Sequence, residues 1–187
     1  GTRDLHSSTT RRSSGRKQEE YGRADVFLTD LRKAFASSEH QFMAHYLGIR
    51  TELRSYKGAW YSGVVLDEAE KLVQRIRRQF PREERKYSQD VNRMHAEVRF
   101  LKAEREWAMA QFYDRRDEIG AARIYYTSIL HTYPDTPFAE RAIGRLKEVE
   151  NMPAKPPQYL TWLVNLFPVE EPARPLFNSN DAGTYEP

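Results

Sequence analysis

The chain has 187 residues, 30 Lys and Arg against 27 Asp and Glu, a net charge of +3 and a mean hydropathy of −0.82, which is length for one ordinary domain with a polar surface or polar tails. It has no cysteine, which excludes disulfide frameworks, thiolate metal sites and cysteine nucleophiles. No stretch approaches the ~18 apolar residues of a membrane span, and residues 1–20 hold no signal-peptide core.

Residues 1–23 carry the whole net charge, with Arg3, Arg11, Arg12, Arg16, Lys17 and Arg23 against Asp4, Glu19 and Glu20. With almost nothing apolar to bury, this piece is expected to be a disordered basic tail. Contact with nucleic acid or anionic lipid is its sharper reading, but the charges are diluted by Ser, Thr and Glu and no aromatic is interleaved, so nucleic acid is not the expected partner.

Residues 24–150 read as a helical-repeat domain. Prolines are confined there to Pro81, Pro134 and Pro137, and no alternating stretch supports a strand. "ADVFLTDLRKAF" puts Val26, Phe27, Leu31 and Phe35 near one face. Ser37 or Ser38 then caps a second helix through "EHQFMAHYLGIRTELRSYKGAW", with Phe42, Tyr46, Ile49 and Leu53 on a stripe. "LDEAEKLVQRIRRQFP" runs from an acidic first turn to a basic last turn, as the helix dipole favours, and Pro81 ends it.

Counting back from Pro81 and from Pro134 reveals an internal repeat. Phe80 matches Tyr133, Ile76 matches Ile129, Val73 matches Tyr126 and Ala69 matches Ala122. A small residue is needed where two helices cross closely, bulky groups fill the groove beside it, and proline turns the chain toward the next unit. The two prolines lie farther apart than one ~34-residue unit, by roughly five helical turns. "REERKYSQDVNRMHAEVRFLKAEREWAMAQFYDRR" fills that gap without Gly or Pro, so one elongated helix is expected. Its stripe of Tyr87, Val91, Met94, Val98 and Leu101 should pack within the chain. Thr136 and Pro137 then start a last helix, "FAERAIGRLKEVE", which covers the end of the stack.

Helix, turn, helix, proline resembles the tetratricopeptide repeat (TPR). Ala110, Tyr113, Ala122, Tyr126, Ile129 and Pro134 fall at that family's signature spacings. In the earlier unit Trp60, Ala69, Val73, Ile76 and Pro81 fit, with Lys57 where a small residue usually stands. The stretch "AEREWAMAQFYDRRDEIGAARIYYTSILHTYPDTPFAERAIGRL", preceded by an elongated helix, resembles the carboxy-terminal part of the BamD (YfiO-like) outer-membrane lipoproteins, over roughly Asp67 to Leu146. The resemblance implies an all-α TPR-like solenoid acting as a scaffold in outer-membrane protein assembly. By the same resemblance it sits in the cell envelope, at the outer membrane facing the periplasm, and its partners are periplasmic domains of a barrel-assembly protein. That family's lipid-bearing amino-terminal cysteine and upstream client-capturing repeats have no counterpart in these residues, so membrane association is expected only indirectly or through an anchor outside this chain.

Catalysis finds no support. His6, His40, His45, His95 and His131 form no metal motif, and neither a phosphate loop nor GxSxG occurs. A non-enzymatic protein with no cofactor, metal or small-molecule substrate is expected, acting through protein contacts. A rival of another class is a soluble TPR adaptor unrelated to barrel assembly, reaching nucleic acid or lipid through its basic arm. If the first helix of each pair lines a concave groove, Trp107, Gln111, Asp114 and Arg115 are partner-binding candidates, although a shift of one residue sends Trp107 into the core. Residues 151–168 read as a proline-rich linker with a short helix around Trp162, which docks on the repeats or serves a partner, and 169–187 as a disordered tail.

Overall fold

The structure, a computed structural model, describes residues 4–155, with side chains described from residue 19. Every regular element among them is helical: α1 (Asp4–Ala34), α2 (Gln41–Ser55), α3 (Val64–Gln79), α4 (Pro81–Lys86), α5 (Ser88–Asp114), α6 (Ile119–Thr132) and α7 (Pro137–Glu148). The all-α, TPR-like repeat expected from the sequence is the fold.

The repeat equivalence holds at atomic level. Ala69, Val73 and Ile76 in α3 and Ala122, Tyr126 and Ile129 in α6 are all buried. Phe80 and Tyr133 end their helices in the same backbone state, φ −128°, ψ 54° and φ −130°, ψ 49°. Each donates its N–H to the isoleucine carbonyl four residues back at 2.9 Å. The chain thus leaves both helices at the same angle, and the proline that follows prevents continuation. Helix α1 carries the same spacing as Ala24, Leu28, Leu31 and Phe35, a third copy not singled out from the sequence. Its first three members are half-buried and Phe35 is exposed.

Two hydrophobic clusters form the core. Phe42, Ile49, Leu72 and Ile76 gather with Val91, Met94 and Val98 in one, and Ala103, Ala110, Tyr126, Ile129 and Phe138 in the other. Helix α5 belongs to both, so its extra turns are what join the two repeats. Lys102 on α5 bridges Asp67 and Glu70 on α3 at 2.7 Å each. Arg99, one turn earlier, donates from Nε to Asp135 Oδ2 at 3.0 Å and from Nη2 to the Thr132 carbonyl at 2.9 Å. That pins the Tyr133-Pro134-Asp135 turn against the long helix.

Several expectations need correction. Residues 4–23, assigned to a disordered tail, are helical backbone in α1; the stretch has no proline, and Arg16 to Glu20 are good helix formers. Val26, Phe27 and Phe35 were expected on the packed face of α1, but they are 61%, 68% and 63% exposed. Helix α2 ends at Ser55, before Lys57 and Trp60, because Tyr56 turns extended and Gly58 takes the left-handed φ of 117°. Neither residue therefore stands on the first helix of the earlier unit. The close crossing there falls at Gly48, where an added Cβ would lie 3.0 Å from Leu72 Cδ1 and 2.5 Å from Arg32 Nη1. Neither serine caps α2; Ser38 Oγ accepts from the His40 N–H instead. The long helix is interrupted at Tyr87, whose ring packs against Phe42 and Tyr46 with centroids 5.1 and 5.6 Å apart.

Candidate protein-interaction site

Of the residues picked out from the sequence, Asp114 is committed inside the protein. It ends α5 and accepts from Tyr126 Oη at 2.9 Å, from Arg145 Nε at 2.7 Å and from Arg145 Nη2 at 2.8 Å. The Arg145 hydrogen bonds hold its carboxyl below the usual carboxylate range. Trp107 is half-buried, with ring centroids 5.2 Å from Tyr126 and 6.2 Å from Phe138, on the core side of the two placements open to it. Gln111 is half-buried and Arg115 is exposed where α5 stops. Trp162, with the whole 156–187 stretch, lies outside the described residues.

The fold brings together a different set. The 56–63 loop lays Trp60 edge-on to Phe112 at 6.1 Å, Phe112 meets Tyr113 at 5.3 Å, and Tyr113 stacks on Tyr125 of α6 at 5.5 Å. Arg116 covers the Phe112 ring at 5.3 Å, and Arg105 Nε donates to the Tyr61 carbonyl at 3.3 Å, fastening the loop to α5. Trp60 and Tyr61 are 59% and 58% exposed, and Phe112 is exposed beside them. Exposed aromatic and arginine side chains packed against one another are what protein interfaces concentrate at their energetic centres. The sequence signal was the aromatic pairs "AWY", "QFY" and "IYY". Only the loop that returns Trp60 to the end of α5 makes them one surface.

A second feature is polar. Between α1, α2 and α3 lies a cavity of about 770 Å³ lined by Asp25, Arg32, His45, Glu52, Glu68 and Arg75 among others. Glu52 is buried, and burial first, then the Asp25 charge, pushes its carboxyl up to about 8. The direction of that shift favours the protonated carboxyl beside Asp25, whose buried Oδ1 has no hydrogen-bond partner among the described residues. Arg32 donates to the Ala44 carbonyl at 3.2 Å, tying α1 to α2, and to Thr29 Oγ1 of its own helix at 2.7 Å. Burial lowers the His45 imidazole, whose Nδ1 lies 2.8 Å from the Gln41 carbonyl. This seam joins helices through paired polar groups and offers no nucleophile with an adjacent base. Among the described residues no three His, Asp or Glu are placed to hold a metal ion, and no helix is long and apolar enough to cross a membrane.

No curated protein and no solved structure matches the chain. The family model for YfiO, described as outer membrane lipoprotein, matches residues 16–154, reaching much further toward the amino terminus than the Asp67–Leu146 stretch that carries the resemblance. A match over well more than half of its length places this protein in the YfiO (BamD-like) family of outer membrane lipoproteins.

Proposed function

We propose that the chain is a non-enzymatic scaffold of outer-membrane protein assembly. It works at the periplasmic side of the outer membrane and presents the Trp60–Phe112 surface to a periplasmic domain of a barrel-forming assembly protein. Membership of the YfiO family supports the setting. The observation that carries the site is the exposed aromatic strip, which runs across the joint between the two repeats and is clamped by Arg105 and Arg116. Such a strip loses little side-chain entropy on binding because α5 and α6 already hold Phe112, Tyr113 and Tyr125, and Trp60 packs edge-on to Phe112 from the 56–63 loop. Gln111 and Arg115 flank Phe112 in sequence and form its rim. Trp107 and Asp114 support the surface from beneath by fixing α5 to α6 and α7.

The test is photo-crosslinking in intact cells from positions 60 and 112, with position 124, an exposed isoleucine on α6, as control. Recovery of periplasmic domains of a barrel-assembly protein from 60 and 112 alone is the expected outcome. Recovery of only cytosolic proteins or nucleic acid would discard the envelope role and leave the fold standing.

A further inference from the structure

Helix α1 shares its inner side between half-buried Leu28 and Leu31 and the polar Asp25, Thr29 and Arg32, and leaves Val26 and Phe27 outside. Asp25, Thr29 and Arg32 line the seam with α2 and α3, and the exposed Lys33 stands at its edge, between the seam and the outer side of the helix. Glu19, Arg23, Val26, Phe27, Asp30 and Lys33 are all exposed, and their spacing of mostly three and four residues sets them along one side of the helix. Glu19, Gly22, Arg23, Val26, Phe27 and Asp30 border one shallow groove of about 530 Å³. None of Glu19, Arg23, Asp30 and Lys33 belongs to an ion pair among the described residues.

The order of charges along this stripe identifies what covers it. From the amino terminus it runs negative, positive, apolar pair, negative, positive. Reversed, it runs positive, negative, apolar pair, positive, negative. A second α1 laid antiparallel therefore puts Asp30 opposite Arg23 and Lys33 opposite the exposed Glu20, next to Glu19, while Val26 and Phe27 of both chains meet at the centre. A parallel copy would set like charges face to face, which is destabilising. Gly22 lies along the same stripe, and a Cβ built on it would meet nothing within 4 Å, so the site where a second backbone passes is open.

We propose that α1 is a homodimerisation helix, pairing antiparallel with α1 of a second copy about a two-fold axis between Val26 and Phe27. A two-fold contact requires a surface complementary to itself, and this stripe is one. The seam is a few turns long, smaller than a standard interface of ~1,600 Å². Association is accordingly reversible and concentration-dependent, and salt weakens it by screening the exposed charges.

Sedimentation of the full chain over a concentration series, at low and high salt, tests this. A monomer–dimer equilibrium that shifts toward monomer with salt is expected. Arg23→Asp and Asp30→Arg should each weaken dimerisation by about tenfold or more, because each creates two like-charge contacts across the axis. Mixed in equal amounts, the two variants should form a heterodimer, since every facing pair is again opposite. The double variant R23D/D30R should dimerise as the parent does, with unchanged helicity in all cases. A chain that stays monomeric at every concentration overturns the proposal, and so does a dimer that survives both single substitutions or fails to recover in the mixture.

Discussion

Arg145 of α7 grips Asp114 of α5 with two parallel hydrogen bonds, at 2.7 and 2.8 Å, while Tyr126 of α6 donates to the same carboxylate at 2.9 Å. One side chain thereby holds three helices, and it is only 12% exposed. Asp114→Asn keeps the shape and removes the charge. Because hydrogen bonds to charged groups are worth about 1.5–3 kcal/mol, it should destabilise the protein by about 2 kcal/mol at neutral pH, read from urea midpoints. The folded carboxyl sits below its ordinary value, so its contribution is present above about pH 4 and is lost as pH falls through the folded value. The parent should lose more stability than Asp114→Asn in that acidic window; equal losses would remove this role.

Ala122 has no exposed surface, and it stands where α6 packs closely on α5 in the same cluster as Ala110. Ala122→Leu should force the pair apart and cost about 1–3 kcal/mol by overpacking. Ala121, one position round the helix and only half-buried, should tolerate the same change with a smaller loss. Equal melting temperatures for Ala122→Leu and the parent would show that the crossing lies elsewhere.

Most of the architecture was legible because the repeat is written in steric terms. Ala, Val or Tyr, Ile and an aromatic before proline describe a packed face whichever protein carries it, and α3 and α6 obey that description residue for residue. What the sequence concealed lies where local and tertiary demands conflict. Lys57 and Trp60 occupy the right positions for a first helix, yet Gly58 breaks the chain and Gly48, more than two turns earlier, provides the close contact. Val26, Phe27 and Phe35 look like a core stripe, yet Arg32 and Thr29 win the inner face through hydrogen bonds that hydropathy does not register. The aromatic strip was illegible for a different reason: Trp60 and Phe112 lie far apart in sequence, and only tertiary structure places their rings 6.1 Å apart.

The segment leaving α7 is fastened to α6. Arg123 Nη2 donates to the carbonyls of Glu150 at 2.7 Å and Met152 at 2.8 Å, as well as to that of Val149. The Gly120 N–H donates to the Ala154 carbonyl at 2.8 Å, and an added Cβ at Gly120 would lie 3.1 Å from that oxygen. Gly120→Val should push the segment off and raise protease cleavage between residues 150 and 155, with the core cluster and its melting temperature nearly intact. Arg123→Met should do the same while keeping the aliphatic packing. Truncation before Pro153 should leave helicity unchanged; a large loss of helicity would move this segment into the core.

Glu52 should make the α1–α2 seam depend on pH, in the sense opposite to Asp114. Its carboxyl is raised to about 8 in the folded protein from an ordinary value of 4.5, so folding favours the protonated form. That contribution is fully present below about pH 4.5, is withdrawn as pH rises and is gone above about pH 8. The groups around it set the direction: Asp25 on α1 and Glu68 on α3 oppose a second negative charge, while Arg32 on α1 favours it. Arg75 of α3, Lys33 of α1 and His45 of α2 line the same cavity. Glu52→Gln keeps the shape of the side chain and cannot ionise. Urea unfolding across this range should show the parent losing stability relative to Glu52→Gln toward alkaline pH, with the gap closing in acid. A gap that stays constant with pH would mean that Glu52 is already ionised when folded, and that Arg32 outweighs the two acidic neighbours.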